Sequence, residues 1–362
     1  MKRRDFLLHL SSALPAALWL RSGSAWSAEA TSGSGWRRFE VKTEVEIADP
    51  AGATRLWLPL PLGSTNDYQR RLDMRWEAPG ARARRMMLPG YDVEILAVEW
   101  PDAKSVGRVQ LVSTVATRDR SVDVGAKPRV STKHGPIQTY LKPTRLLPTD
   151  GVVKATADKI TREKSGDVDK ARAIYEWVVE HTNRDPNTRG CGLGDVGTML
   201  ESGNLGGKCA DINGLFVALA RASGIPARDA YGVRVADSKL GFKCLGKSGD
   251  ISKAQHCRAE FYAEGYGWVP VDPADVRKVV LEESPGGLPI DDPKVQRARS
   301  LLFGSWEMNW IAYNHGHDVA LPGASGKPIP FLMYPQGESG TRRLDSLDAS
   351  AFRYEIHSTE VA

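Results

Sequence analysis

GGKCADINGLFVALARASGIPAR, Gly206 to Arg228, is the stretch on which the reading of this chain turns. Ile212, Leu215, Phe216, Leu219 and Ser223 recur at helical spacing, so it reads as one helix with a buried face. Gly224 suits the C′ position, Ile225 can pack back on the last turn, and Pro226 prevents continuation. The other end carries Cys209 behind two glycines. A helix N-terminus has unpaired N–H groups and a positive partial charge, and both favour a thiolate over a thiol. Cationic Lys208 adds to this, and the thiolate is the nucleophilic form. Gly206 and Gly207 supply backbone freedom and room for a substrate chain. Asp211 works against the thiolate if its carboxylate faces the sulfur. On this stretch alone, a small buried thiol that happens to start a helix is an equally good reading.

Downstream, RDAYGVRV and QHCRAEFYAEGYGWVPVDP read as strands, separated by the polar insertion ADSKLGFKCLGKSGDISKA. Within the second segment His256, Arg258, Glu260 and Tyr262 share one face, while Cys257, Ala259 and Phe261 share the other. A three-residue turn at Ala263-Glu264-Gly265 would pair 262 with 266, 260 with 268 and 256 with 272. His256 would then sit opposite Asp272, with Cβ atoms about 4.5–5.5 Å apart. A carboxylate at that distance fixes the imidazole tautomer and stabilises the imidazolium. A slip of one residue would separate them onto opposite faces. The same alternation aims Cys257 at the core as a structural thiol. Taken singly, His256 reads as a satisfied surface histidine and Asp272 as a turn carboxylate before Pro273. With Cys209 they form an ordered set.

Upstream, RFEVKTEVEI alternates cleanly: Phe39, Val41, Thr43, Val45 and Ile47 face one way, and Glu40, Lys42, Glu44 and Glu46 the other. TRLWLPLPL, YDVEILAVEW and VGRVQLVSTVATR continue in the same manner, so residues 36–125 read as an antiparallel β domain. Residues 126–150, rich in Pro, Gly and Thr, read as a linker. GVVKATADKITREKSG and DVDKARAIYEWVVEHT are helical, and they open a core over 151–280 that runs through the Cys209 helix to the hairpin. Residues 281–362 mix a helical stretch, DDPKVQRARSLLF, with Pro- and Gly-rich extended segments, and read as a C-terminal extension. Helices and strands segregated in this way give an α+β class.

The chain has 362 residues and a formal net charge of +5. Residues 1–30 carry a basic start (Lys2, Arg3, Arg4) and an apolar run from Phe6 to Leu20, which is too short to span a bilayer. This reads as a cleaved export signal, cut after Ser27 or Ala30. Its paired arginines, spacer and Phe6-Leu7 resemble a twin-arginine signal, which implies a folded, periplasmic product. Cutting after Ala30 removes four basic and two acidic residues and leaves +3. That balance gives no reason to invoke nucleic acid, and no membrane segment remains after cleavage. Cys191, Cys209, Cys244 and Cys257 are the four cysteines, whose pairing the sequence does not assign.

GGKCADINGLFVALARASGIPARDAYG resembles the nucleophile helix of the transglutaminase-like superfamily, a branch of the papain-like cysteine enzymes. HCRAEFYAEGYGWVPVDP resembles its histidine and aspartate strands, and the order Cys, His, Asp agrees. RLWLPLPL followed by Tyr68-Gln69 is similar to the N-terminal region of bacterial members. The resemblance implies a nucleophile helix packed on an antiparallel sheet. It gives Cys209 as nucleophile, His256 as general base and then acid, and Asp272 as orienting carboxylate. It implies acyl transfer on protein or peptide amides through a thioester, as a peptidase, amidase or transglutaminase. Cell-wall peptides are within reach in the periplasm, and the residues themselves call for no cofactor or metal, leaving calcium dependence open. The first oxyanion donor would be the Cys209 N–H, with Asn204 as a side-chain candidate. One departure is Arg258, where many members have an aromatic. The competing reading is a catalytically silent periplasmic binding or assembly module.

Weaker signals carry less. GLGDVG (Gly192–Gly197) has dinucleotide-loop spacing but no preceding strand. His315 and His317 lie two apart, as strand-borne metal ligands would, without an evident third ligand. A zinc site from Cys191, Cys209, His256 and Cys257 conflicts with the hairpin alternation. Trp306 and Trp310, four apart on a possible helix, are candidates to line a cleft.

Overall fold

The computed structural model describes residues 35–47, 50–63, 66–103, 107–128, 137–350 and 352–362. The leader expected over 1–30 lies outside them, as does part of 126–150. The alternating strand forms as β1 (Arg37–Ile47), with Phe39, Val41, Thr43, Val45 and Ile47 buried. It is followed by β2 (Gly52–Pro59), β3 (Gln69–Glu77), β4 (Arg82–Met87), β5 (Glu94–Ala103) and β6 (Gly107–Thr117). β1 pairs antiparallel with β6 along its whole length, and β2 pairs with β5. Val45, Ile47 and Leu111 of one sheet meet Leu56, Leu58, Leu96 and Val98 of the other in a shared core. Two antiparallel sheets packed by their apolar faces form a β sandwich. A two-residue strand, β7 (Arg120–Ser121), leaves this sandwich. Arg120 reaches Glu260 of the core, which is fully buried and also paired with Arg228 at 2.6 Å.

The core begins with α1 (Gly151–Thr161) and α2 (Asp167–His181), then β8 (Asn183–Arg184), α3 (Val196–Ser202) and β9 (Gly206–Gly207). The Cys209 helix is α4 (Cys209–Ala222), and Ile225 folds back to donate to the Ala220 carbonyl as the Gly224 stop requires. All its residues are buried, not one face alone. α1, α2 and α5 (Pro273–Glu282) pack around it, together with β10 (Ala227–Arg234) and β12 (Gln255–Ala263). Such a helix is held by packing rather than propensity. Leu219→Ala, at a fully buried position in its last turn, is expected to cost about 2–5 kcal/mol of stability, read from the denaturant midpoint.

The short β11 (Gly249–Asp250) comes before β12, which is followed by β13 (Gly267–Val271). The hairpin turn is Glu264-Gly265-Tyr266, with Gly265 at φ +81°. Ala263 pairs with Gly267 and Ala259 with Val271. The pairing is therefore shifted by two residues from the sequence expectation, so that Arg258, not His256, lies level with position 272. Side chains repeat every two residues along a strand, so this shift leaves every residue on its expected face.

The tail supplies α6 (Pro293–Leu301), β14 (Ser305–Trp306), β15 (Trp310–Asn314), β16 (Gln336–Ser339), β17 (Arg342–Leu344) and β18 (Arg353–Val361). β15 joins the core sheet, in the order β13-β12-β10-β15. β18 lies along β1, from Arg38 with Val361 to Glu46 with Arg353, and β16 pairs with β2. Residues 281–362, read from sequence as an extension, thus complete both sandwich sheets and the core sheet. The β1 alternation shows which face is buried but not which strands flank it.

Candidate active site

Asp272 follows the last residue of β13 and caps α5. Its Oδ1 accepts from the Asp275 N–H at 3.0 Å and from Asn213 Nδ2 at 3.1 Å. Its Oδ2 accepts from His256 Nε2 at 2.8 Å. His256 and Asp272 meet diagonally across the hairpin, since the register places them two residues out of line. Asn213 also donates to the Cys257 carbonyl at 2.9 Å and accepts from the Ala274 N–H at 3.2 Å. It stands one turn beyond Cys209 on α4, so one amide ties the cysteine helix to the carboxylate. The one local signal for Asn213 is a carboxamide at i+4 from Cys209, on the same side of the helix.

Cys209 opens α4, so its N–H has no intrahelical acceptor. Asp211 does not oppose the sulfur as a free charge. Its carboxylate accepts from Leu193 and Gly194 N–H at 3.0 and 2.9 Å, and from Lys208 N–H at 2.9 Å. GLGDVG is thus the loop that closes on the first turn of α4. A side chain at Gly192 (φ +90°) or Gly207 would strike this carboxylate, so Gly207 is set by packing rather than by substrate approach.

Hydrogen bonds from Cys191 and Cys257, then His256 and its charge, hold the Cys209 thiol well below its ordinary range against the effect of burial. Cys191 and Cys257 are pushed well up, Cys191 chiefly by its bond to Cys209 and Cys257 chiefly by burial, and Cys191 Sγ also donates to the Gln255 carbonyl at 3.3 Å. Burial opposes charge on His256, but Asp275 and Asp272 outweigh it and raise the imidazole to about 10. Asp275 lies 3.4 Å from His256 Nε2 and accepts from Arg234 at 2.6 Å. Both shifts favour the charged forms of Cys209 and His256. His256, Asp272 and Asp275 are close enough to share a cation. Arg234 and Arg258 already supply the balancing charge, with Arg258 Nε 3.6 Å from Asp272, so the cluster fits an ion-pair network better than a metal.

Cys209 and His256 line a cleft of about 730 Å³, together with Cys191, Lys208 and Gln255. Tyr334, Leu347, Phe352 and Tyr354 form part of its wall, so the tail shapes the site. Gln255 is buried and its Nε2 has no hydrogen-bond partner among the described residues. It shares the Cys257 face of β12. Gln255 carries no local sequence signal beyond its place before the histidine. Asn204 is not brought to the cleft. It is exposed, and its Oδ1 accepts from the Gly206 N–H at 3.1 Å, as a short polar side chain does in a local turn.

The Transglutaminase-like superfamily profile matches residues 154–273, from within α1 to the first residue of α5. An uncharacterized protein of Haemophilus influenzae is 38% identical over 342 residues, covering 89% of this chain and 91% of that one. The chain belongs to the transglutaminase-like superfamily. The solved structure of a Cytophaga hutchinsonii protein, provisionally described as a cysteine protease, superposes with a TM-score of 0.58 at 15% identity. It covers 90% of this chain and 91% of that one, so the sandwich and core recur there together as a fold.

Against the pattern of this superfamily, Arg258 is explained by its surroundings. Its guanidinium lies 4.8 Å from the Trp310 ring and 5.5 Å from Trp306, and Nη1 donates to the Glu307 carbonyl at 2.9 Å. Trp306 and Trp310 are strand residues, not helical ones, and are fully buried. They back the site rather than line it: Trp310 Nε1 donates to the His256 carbonyl at 2.8 Å. His315 and His317 go to different carboxylates, Asp92 at 2.7 Å and Asp229 at 3.2 Å, and do not converge.

Proposed function

We propose that this protein is a thiol-dependent acyl-transfer enzyme acting on amide bonds of proteins or peptides, with Cys209 as nucleophile, His256 as acid–base and Asp272 as orienting carboxylate. The observation that carries this reading is the buried His256 Nε2–Asp272 Oδ2 bond, on an imidazole that also hydrogen-bonds the Cys209 thiol at the head of α4. The Cys209 thiolate attacks the amide carbonyl, and the oxygen takes the negative charge. The imidazolium then gives its proton to the leaving amine as the C–N bond breaks, leaving a thioester. Water or an amine enters next, gives its proton to His256, and expels the thiolate. The Cys209 N–H and Gln255 Nε2 are the donors we assign to the oxyanion, in place of Asn204.

Among the described residues no helix is long and apolar enough to cross a membrane. We place the enzyme in the periplasm on the strength of the leader at 1–30, where cell-wall peptides are within reach. The test is incubation of the purified protein with glutamine-containing peptides, with and without a primary amine, read by mass spectrometry. Hydrolysed or amine-linked product, absent with Cys209→Ala, is the expected result. If both proteins process the peptides alike, or neither does so while Cys209 stays unreactive, the reading fails.

A further inference from the structure

The cleft at Cys209 is charged in a way its chemistry does not require. Lys208, Lys247 and Lys253 line it, and none has a carboxylate within ion-pair distance among the described residues. Its other cations are Arg184, Arg189, Arg234 and Lys278. Arg184 and Lys278 share one carboxylate, Glu282, while Arg189 pairs with Asp345 and Arg234 with Asp275. Among the described residues the single acidic side chain in the lining is Asp250, which accepts from Ser252 Oγ at 2.6 Å. The groove on the sandwich is the opposite: Glu44, Glu46, Glu77 and Glu355 line it against Arg108 and Arg353. Among the described residues the cleft around the cysteine thus holds three lysines without an ion-pair partner against one aspartate. Clefts lined by one sign of charge focus the field and raise the local concentration of opposite charge.

We propose that the acyl donor is an anionic peptide, carrying at least one free carboxylate beside the amide that Cys209 attacks. This rests on the acyl-transfer reading above. Lys247 and Lys253 would hold the carboxylate side. Both are exposed, so replacing them does not open the core.

The test compares alkylation of Cys209 by iodoacetate and by iodoacetamide, which differ by one negative charge. Imidazolium His256 favours iodoacetate in every variant, so the comparison rests on the change in rate ratio. The Lys247→Gln/Lys253→Gln protein should show a ratio at least fivefold lower than wild type at about 0.02 M salt. Its iodoacetamide rate should be unchanged. The difference should vanish at about 0.5 M salt, where exposed charges are screened within a few ångströms. An unchanged ratio overturns the proposal. A second readout is independent of the thiol. In Cys209→Ala protein, a dansyl-labelled Ala-Gln-Glu-Glu peptide should bind at least tenfold more tightly than its Ala-Gln-Gln-Gln counterpart, and lose that margin in the double lysine variant. Equal affinities overturn the anionic-substrate proposal. A preference for the acidic peptide beside an inert Cys209 would sink the acyl-transfer reading alone.

Discussion

Cys209→Ser is expected to lower amide turnover by about 10³-fold or more with no loss of fold. A serine hydroxyl is nearly isosteric but does not ionise in a site tuned for a thiolate, and loss of one member of a cooperating set removes most of its effect. The first turn of α4 should survive, because its N-terminal closure rests on Asp211 and three backbone N–H groups rather than on the sulfur. The check is turnover on the peptide found above, with melting temperature as the control for folding. Activity within about tenfold of wild type would remove Cys209 from the chemistry. Cys191→Ser keeps a donor at the neighbouring position and serves as the comparison. It should retain most activity, although Cys191 is equally buried with Cys209.

The pH dependence of Cys209 alkylation should show two limbs set by two different groups. Cys209 is held below its ordinary range, so the thiolate is present above that depressed value and is lost as pH falls through it. His256 is raised to about 10, so the imidazolium is present below that value and is lost as pH rises through it. Between the limbs the ion pair is intact, and the rate should be flat through neutrality rather than climbing towards the free-thiol value of about 8.5. His256→Ala removes the partner charge and one hydrogen bond. The acid limb should move up by at least one pH unit and the limb near pH 10 should disappear. Asp272→Asn keeps the shape of the carboxylate but not its charge, and should lower the upper limb while leaving the thiolate reactive. Peptide mass spectrometry of Cys209 reads all three proteins. Profiles identical to that of a small free thiol, unmoved by His256→Ala, would mean an ordinary buried cysteine.

How far the site was legible depended on how local each signal was. Gly224-Ile225-Pro226 closed α4 as its own chemistry requires, and the alternation in QHCRAEFYA assigned its faces correctly even though the hairpin slid by two residues. The ordering of Cys, His and Asp needed only those local periods. Asn213, Gln255 and the buried Arg258 were not legible, because each matters through a partner distant in sequence: Asp272, the cleft, and the Trp306–Trp310 pair. Asn204 lies near Cys209 in the sequence, but nearness along a chain says nothing about direction. Its carboxamide satisfied the adjacent turn instead.

The sequence by itself determined the nucleophile-helix stop, the strand alternation of β1 and β12, and Cys209, His256 and Asp272 as candidates, since helical and strand periods are properties of neighbouring residues. Only the tertiary structure decided which strands flank one another, that the tail closes both sandwich sheets, and that Tyr334, Phe352 and Tyr354 wall the cleft beside the lysines. Strand pairing and pocket walls are made by contacts between distant segments, whose free energy comes from burying one face against another. That matching is a property of the folded chain, and no single stretch carries it.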